Sequence, residues 1–321
     1  MMKTVIITGG NSGLGYACAR EIARNDNWHI ILACRNSTKA NRAVLRLKEE
    51  TKSDRIKALN LDLADFSSIR SFATKWSDCD LPPLGALICN AGVQFVRRQT
   101  YTQNGMETTF AVNHLGHFLL VNLLLSELIP PAKIIVVSSD THDSNKTTGM
   151  PQPYFRNPDL MAYPQEDPAL KNKNVGELGR IAYTTSKLCN VLFAYELNRR
   201  LQQAKKSDIK VNVFNPGLMP GSGLAQDYTP MAKFVWHNIL PILSRFIPNV
   251  NTIETAGEAL AKLLLDPNLD EVSGKYFSGF KQIDSSQESY DRSLAQRLWN
   301  GSIELTSLTP EETMLNAQIG R

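Results

Sequence analysis

A tyrosine and a lysine, Tyr183 and Lys187 in the stretch "YTTSK", form a candidate proton-transfer pair. Residues four apart lie on one face of a helix, and the apolar repeat through Leu188, Leu192 and Leu201 predicts a helix here. The ammonium would favour the phenolate and so lower the phenol pKa from about 10 toward neutrality. Pairs at this spacing are also common on helix surfaces, so the spacing alone leaves the assignment open.

A second candidate site is the glycine-rich stretch "TGGNSGLG", which follows the apolar segment "KTVIIT" and opens a helical pattern. In this context glycines let the backbone turn tightly and approach a pyrophosphate at the helix N-terminus. A glycine-rich turn without a ligand is the alternative. The residues predicted to line this anion site are Gly9, Asn11, Ser12, Gly13, Leu14 and Gly15.

The second apolar segment ends in "LACRN", which supplies Arg35 and no carboxylate. An acidic residue near this point would bind the ribose hydroxyls of NAD, whereas an arginine fork suits a 2′-phosphate. Lys39 lies one turn further along the chain. We therefore predict NADP(H) as the cofactor; a solvated surface charge is the alternative interpretation of Arg35.

The composition is that of an ordinary globular protein, with 42% hydrophobic and 21% charged residues in a chain of 321. The net charge of +4 and the lack of a long Lys/Arg block argue against a nucleic-acid surface. The five cysteines are scattered without a C-x-x-C pair, which fits a reduced compartment. With no signal-peptide pattern and no apolar run of roughly 18 residues, we expect a cytoplasmic protein.

Short apolar segments alternate with amphipathic helical stretches along the whole chain. This rhythm predicts an α/β fold, a Rossmann-type doubly wound parallel sheet of about seven strands with helices on both faces, in a single domain over residues 1–321. Two segments break the rhythm: an insertion at about 140–178 and a segment at about 217–250, predicted to be a substrate lid. Strands are expected at 3–8, 28–34, 55–61, 85–89, 132–138, 209–214 and 275–278.

Six motifs in order resemble the signature of the short-chain dehydrogenases/reductases: "TGGNSGLG", "NAG" (90–92), "NHLGHF" (113–118), "VVSS" (136–139), "YTTSK" and "NPG" (215–217). Within that family, "ACRN", "ICNAG" and "SKLCN" look most like the branch of retinol-dehydrogenase-like enzymes and light-dependent protochlorophyllide reductases. The resemblance covers almost the whole chain. It implies an NADP(H)-dependent oxidoreductase that moves hydride between nicotinamide and the carbonyl or alcohol of its substrate.

The resemblance also implies a role for individual residues. Tyr183 would be the general acid/base, and Lys187 would lower its pKa and bind the nicotinamide ribose. Ser139 would align the substrate oxygen, and Asn113 would complete a water-mediated proton relay to Lys187. The remaining cofactor contacts implied are Asp62, Leu63, Asn90, Ala91, Gly92, Pro216 and Gly217, with Ser222 in place of a threonine that many members carry after the Pro-Gly pair.

Two other enzymatic or binding functions stay open at this point. A light-dependent protochlorophyllide reductase shares Tyr183 and Lys187, but its insertion contributes a cysteine, and no cysteine lies between Cys89 and Cys189 here. A non-catalytic NADP(H)-sensing protein is disfavoured, because such relatives usually lose the tyrosine or the lysine. No metal site is predicted, because His114 and His117 have no evident third ligand.

The expected partner is a small-molecule substrate that is bulky and apolar, because "MAKFVWHNILPILSRF" in the predicted lid carries few charges. Core packing and contact with a membrane surface are the alternatives for this segment, the second supported only weakly by Lys233 and Arg245. A homodimer through helices at 103–128 and 181–203 is an expectation from the family resemblance, and a monomer shielded by the apolar segment is its alternative. No nucleic-acid partner is expected.

Overall fold

Short apolar segments build the sheet at the centre of the protein. The structure, a computed structural model, describes residues 2–220, 227 and 251–315. Strands rich in Val, Ile and Leu that are buried on both faces are typical of parallel sheets covered by helices. The strands are β1 (Lys3–Thr8), β2 (Trp28–Cys34), β3 (Ile56–Asn60), β4 (Leu84–Cys89), β5 (Leu128–Val137), β6 (Ile209–Asn215), β7 (Tyr276–Ser278) and β8 (Lys281–Ile283).

The strand order is β3-β2-β1-β4-β5-β6-β7-β8, and every neighbouring pair up to β7 is parallel. The order reverses direction between β1 and β4, which places a ligand crevice at the carboxyl ends of these strands. The single-domain doubly wound fold predicted from the sequence is confirmed. The eighth strand was not predicted: it pairs antiparallel with β7, and its three residues are all exposed, so it leaves no apolar signal.

The described residues form nine α-helices. Several of them begin at a residue whose side chain accepts a hydrogen bond from a backbone N–H group, as at Asn36, Asp65, Asn174 and Asp291. A π-helical segment, Ala111–Leu115, joins the short α4 to α5. The helices are α1 (Gly13–Ala23), α2 (Ser37–Thr51), α3 (Phe66–Ser77), α4 (Thr108–Phe110), α5 (Gly116–Leu124), α6 (Pro158–Ala162), α7 (Val175–Gln203), α8 (Ile253–Leu265) and α9 (Arg292–Thr306).

The two faces of the sheet carry separate cores because alternate residues of a strand point to opposite sides. On one face, Val5 and Ile7 pack with apolar residues of α1, α2 and α8. On the other, Ile6 packs with residues of α3, α5 and α7 and with Trp299 of α9. Trp299 is 3% exposed and stacks on Phe193, so it anchors the C-terminal helix to the domain.

The insertion at 140–178 packs on α4, the π-helical segment, α7 and α9. Met161 and Ala162 of α6 form a third apolar cluster with Phe110, Leu188 and residues of α9. The stretch Thr108–Glu127 is long and apolar enough for a membrane span, but 89% of its most apolar window is buried inside the chain, as in a core helix. The homodimer expected through the helices at 103–128 and 181–203 stays a prediction.

We predict that Gly257→Ala lowers the free energy of unfolding by about 1–3 kcal/mol, because there is no space for the added methyl group. A Cβ at Gly257 of α8 would overlap the Cβ of Ala17 and lie 2.8 Å from its carbonyl carbon in α1. Chemical denaturation measures the change. Glu258→Ala, on the exposed side of the same helix, is the control and should change stability by less than about 0.5 kcal/mol. Equal stability of the two variants would contradict the close packing of α1 on α8.

Candidate active site

The candidate catalytic pair lies on α7, which is fastened to the carboxyl end of β5. Ser138 Oγ donates to the carbonyl oxygen of Lys187 at 2.7 Å, and Asn190 Nδ2 donates to the carbonyl oxygen of Val137 at 3.1 Å. The Nζ of Lys187 reaches the same carbonyl oxygen at 3.4 Å. These bonds fix the rotation of the helix, so the face carrying residues 183 and 187 points to the crevice at the strand ends.

Lys187 and Tyr183 are both buried, at 4% and 6% exposure, and lie against one another. The Nζ of Lys187 is 5.4 Å from the centroid of the Tyr183 ring, within range of a cation–π contact. Burial lowers the pKa of Lys187 to about 8. Within the described part of the chain no carboxylate forms an ion pair with this ammonium, so its charge is compensated chiefly by oxygens and by the tyrosine ring.

Asn113 sits in the π-helical segment, a distortion that is frequent at functional sites. Its Oδ1 accepts the N–H of Val93 at 2.8 Å, and its Nδ2 donates to the carbonyl oxygen of Val93 and to Ser186 Oγ at 3.1 and 3.0 Å. Both amide hydrogens are therefore used. The family resemblance implies a water-mediated proton relay from Asn113 to Lys187. Because the amide hydrogens are used, such a relay would have to begin at an oxygen atom of Asn113.

Ser139 follows β5 and caps the 3-10 turn Asp140–His142. Its hydroxyl donates to Asp140 Oδ1 at 3.1 Å and accepts the N–H of Thr141 at 3.3 Å. The residue is partly exposed at the same edge of the sheet as the candidate pair Tyr183 and Lys187. Ser139, Tyr183 and Lys187 are thus brought to one end of the β5–α7 unit, as the sequence predicts.

The glycine-rich loop has the form of an anion site at the start of α1. Gly9 and Gly13 have φ of +65° and +54°, where a side chain would be strained. A Cβ at Gly15 would lie 2.9 Å from the carbonyl oxygen of Gly9, whereas the space over Gly13 is open. Ser12 makes no side-chain cap bond, so the first amides of α1 are left for a ligand. Asn11 and the buried Leu14 lie in the same turn.

Arg35 and Lys39 are both exposed where β2 passes into α2. The backbone there is held by Asn60, whose Nδ2 donates to the carbonyl oxygen of Arg35 at 2.9 Å. Asp62 follows β3 and accepts the N–H of Ala64 at 3.0 Å, and Leu63 behind it is buried. The basic side chains and the carboxylate therefore lie at the ends of neighbouring strands.

The NAG turn after β4 is joined to the end of β1. Asn90 Nδ2 donates to the carbonyl oxygen of Thr8 at 2.7 Å, and the N–H groups of Asn90 and Ala91 each donate to Thr8 Oγ1 at 2.9 Å. Gly92 lies beside the catalytic helix, because a Cβ there would be 3.5 Å from Lys187 Nζ. The glycine loop, the NAG turn and α7 thus form one continuous wall.

Past β6 the chain turns at Gly217, whose φ is +74° and whose N–H donates to Asn215 Oδ1 at 2.9 Å. Asn251 Nδ2 donates to the carbonyl oxygen of Pro216 at 2.8 Å. Ser222 and the predicted lid, apart from residues 217–220 and Asp227, lie outside the described residues. Asp227 Oδ2 accepts the N–H groups of Val96 and Arg97 at 2.8 Å.

Several residues of this site were missed by sequence reasoning, chief among them His117. Its Nδ1 lies 3.1 Å from the carbonyl oxygen of Asn113 and its Nε2 2.9 Å from Thr8 Oγ1. The carbonyl can only accept, so Nδ1 carries the proton and the threonine hydroxyl donates to Nε2. The ring thus joins the π segment to the end of β1. His117 stands in the "NHLGHF" motif, which is visible in the sequence, but the motif does not show that its ring contacts Thr8.

His114, considered above as a metal ligand, and the thiol of Cys189 both lie among core residues. His114 Nε2 lies 2.9 Å from Ser302 Oγ of α9, and its ring stacks on Phe110. Cys189 is fully buried with its Sγ 4.0 Å from Met161 Sδ, and burial raises the pKa of its thiol. Cys189 is therefore a small core residue on the side of α7 away from Tyr183.

Comparison with known proteins identifies the family. The sequence profile described as short chain dehydrogenase matches residues 3–151. Protochlorophyllide reductase A, chloroplastic, from Arabidopsis thaliana is 32% identical over 320 residues, which cover 95% of this chain and 76% of that protein. This chain belongs to the short-chain dehydrogenase family.

Two further relatives are similar over most of this short-chain dehydrogenase. The WW domain-containing oxidoreductase of Homo sapiens is 35% identical over 303 residues, covering 92% of this chain and 66% of that protein. The crystal structure of an uncharacterized protein from Mycobacterium paratuberculosis aligns with a TM-score of 0.63 at 28% identity, covering 95% and 93% of the two chains. The oxidoreductase family and its fold are thus established for this chain.

We predict that acid destabilises the protein through its buried histidines. Burial lowers the pKa of His117 to about 4 and that of His114 to about 3, so both stay neutral in the folded chain where they would be protonated when unfolded. The unfolded state then binds more protons, and the free energy of unfolding falls as pH drops below about 6.5, by up to about 1.4 kcal/mol per pH unit per histidine.

Denaturation curves recorded between about pH 7 and 4 measure this slope. His117→Gln removes one titrating ring while keeping hydrogen-bonding groups, so its slope should be smaller than that of the wild type. A slope identical to that of the wild type would show that His117 is not held neutral in the folded state.

Proposed function

We propose that this protein is an NADP(H)-dependent oxidoreductase that interconverts a carbonyl and an alcohol on a bulky apolar molecule. The observation that carries the proposal is the meeting of a buried tyrosine–lysine pair, a serine at the end of β5 and a glycine-lined helix N-terminus at one edge of the sheet. When bound, the cofactor supplies or accepts the hydride. The apolar substrate class is supported by the composition of residues 231–250 and by the exposed Leu218 beside the Gly217 turn.

The protein's own groups would bind, orient and move one proton. The amides at the start of α1 would hold the pyrophosphate, and Arg35 with Lys39 the 2′-phosphate. The Ser139 hydroxyl would orient the substrate oxygen. Tyr183 would give its proton to that oxygen in reduction and take it back in oxidation, and the adjacent Lys187 ammonium would stabilise the phenolate left behind.

Tyr183→Phe should lower kcat by about 10²–10⁴-fold and leave NADPH affinity nearly unchanged, because the phenol acts on the reacting oxygen and the ring remains. NADPH oxidation with a panel of aromatic ketones and quinones measures kcat, and NADPH fluorescence measures binding. Tyr195→Phe on the same helix, whose hydroxyl contacts Ser285 at 2.7 Å, is the matched control and should keep its activity. A kcat for Tyr183→Phe within about tenfold of wild type would exclude Tyr183 as the acid.

Arg35→Asp should weaken NADPH binding and favour NADH, because it replaces a partner of the 2′-phosphate by a repelling charge. The dissociation constants of both cofactors in wild type and variant measure the preference. Arg292→Asp, an equal charge change at an exposed position of α9, serves as the control and should leave both constants unchanged. Equal affinity of the wild-type protein for NADPH and NADH would refute the assignment of Arg35.

Light-driven reduction of a tetrapyrrole double bond is the second candidate, favoured by the similarity to protochlorophyllide reductase over 95% of the chain. The absence of a cysteine between Cys89 and Cys189 counts against it. Illuminating the protein with NADPH and protochlorophyllide distinguishes the two functions. A light-dependent shift of the pigment's absorption would support the second candidate, whereas carbonyl-dependent NADPH oxidation in the dark supports the first.

A further inference from the structure

A buried histidine, His142, is attached to the backbone of the candidate catalytic serine. Its backbone N–H donates to the carbonyl oxygen of Ser139 at 3.2 Å, and its ring Nδ1 lies 2.7 Å from the same oxygen. On the far side of the ring, Nε2 lies 3.0 Å from the backbone nitrogen of Ser286. The ring is fully buried and packs on Tyr276 of β7 with the ring centroids 4.9 Å apart.

These contacts define one neutral tautomer. A carbonyl oxygen only accepts, so Nδ1 must carry the proton, and the N–H of Ser286 only donates, so Nε2 must be unprotonated. Protonation of Nε2 would set two N–H groups against each other. Burial lowers the pKa of His142, which favours the same neutral form.

The His142 ring faces mainly neutral groups on the side of β7 and charged groups on the side of its own loop. Tyr276 presents its hydroxyl 3.4 Å from Nδ1, and the Ser285–Ser289 segment closes the other side with hydroxyl groups. Asp140, Asp143 and Lys146 act on the ring from its own loop. None of these charged groups has a hydrogen bond to the ring, so its orientation depends on the two bonds to backbone atoms and on the longer contact with the Tyr276 hydroxyl.

We propose that His142 is the positioning residue for Ser139: it links the serine's backbone to the C-terminal segment and so fixes where the serine hydroxyl points. Nothing in the serine's own side-chain contacts does this, because Asp140 and Thr141 belong to the same short turn and move with it. The ring instead ties the turn to β7 and Ser286, which lie more than 130 residues further along the chain. The inference rests on the proposed function, in which that hydroxyl orients the substrate oxygen.

Two substitutions each remove one of the two hydrogen bonds between the His142 ring and backbone atoms. His142→Asn keeps an N–H donor near the position of Nδ1 and loses the acceptor for Ser286. His142→Gln keeps an acceptor near the position of Nε2 and loses the donor to Ser139. We expect kcat at saturating NADPH to fall by about tenfold or more in both variants, since each breaks the link between Ser139 and Ser286 at one end and small misplacements at a reacting centre are costly. The NADPH dissociation constant should not change in either variant.

Menadione and an aromatic ketone are the probes for kcat, and circular dichroism reports the folded fraction. If His142→Gln does not fold, Ser286→Pro removes the N–H that meets Nε2 together with a hydroxyl that has no hydrogen-bond partner among the described residues. The φ of −60° at this residue suits proline, and the loss of kcat should match that of His142→Asn. Asn145→Ala, at an exposed position of the same loop, is the control and should leave kcat unchanged.

A readout without turnover separates this proposal from the proposed function. Crystal structures of the two variants should show the Ser139 hydroxyl displaced in both, whether or not the wild-type protein reduces the probes. An undisplaced hydroxyl in either variant, or a loss of kcat no larger than the loss of folded protein, would overturn the proposal and leave His142 a purely structural residue.

Discussion

The burial of the Lys187 ammonium is the constraint around which the rest of the site is arranged. An ammonium taken out of water needs compensation, and lowering its pKa from 10.5 to about 8 corresponds to a bias of roughly 3 kcal/mol against the charged form. Among the described residues the nearby compensating groups are the carbonyl oxygen of Val137 and the face of the Tyr183 ring. Such an ammonium is poised to interact with a ligand that brings oxygens or negative charge.

The elements around Lys187 are held in ways that preserve this arrangement. α7 is tied to β5 by Ser138 and Asn190, and the π-helical segment joins it through Asn113 and Ser186. His117 then connects the π segment to Thr8, which receives the NAG turn. Thr8, Val137 and Ser138 stand at the carboxyl ends of β1 and β5, so these connections attach the site to the parallel sheet. The insertion adds to this attachment from outside by covering the apolar side of α7.

The sheet and the motif residues could be predicted from the sequence because they depend on local pattern. Continuous apolar runs placed the seven parallel strands close to their observed bounds, and glycine and strand-end residues placed the cofactor loop. β8 was not predicted, because its three residues are all exposed and show no alternation of apolar and polar side chains. The bounds of the insertion could be predicted from the sequence. Its packing on α7 and α9 could not be predicted, because that packing joins residues distant in the chain. The hydrogen bonds of His117, His142 and the Asn113 amide also join residues that are distant in the chain. They could therefore be found only in the structure.

The titration of Lys187 tests the account most directly and does not require the substrate. NMR spectra of the protein with ¹³C-labelled lysine, in which Lys187→Arg assigns the resonance, would follow this ammonium across pH with and without NADP⁺. The account predicts a pKa of about 8 in the cofactor-free protein and a specific change of this resonance when NADP⁺ binds. A pKa near the unperturbed 10.4 of lysine, with no response to NADP⁺, would contradict it.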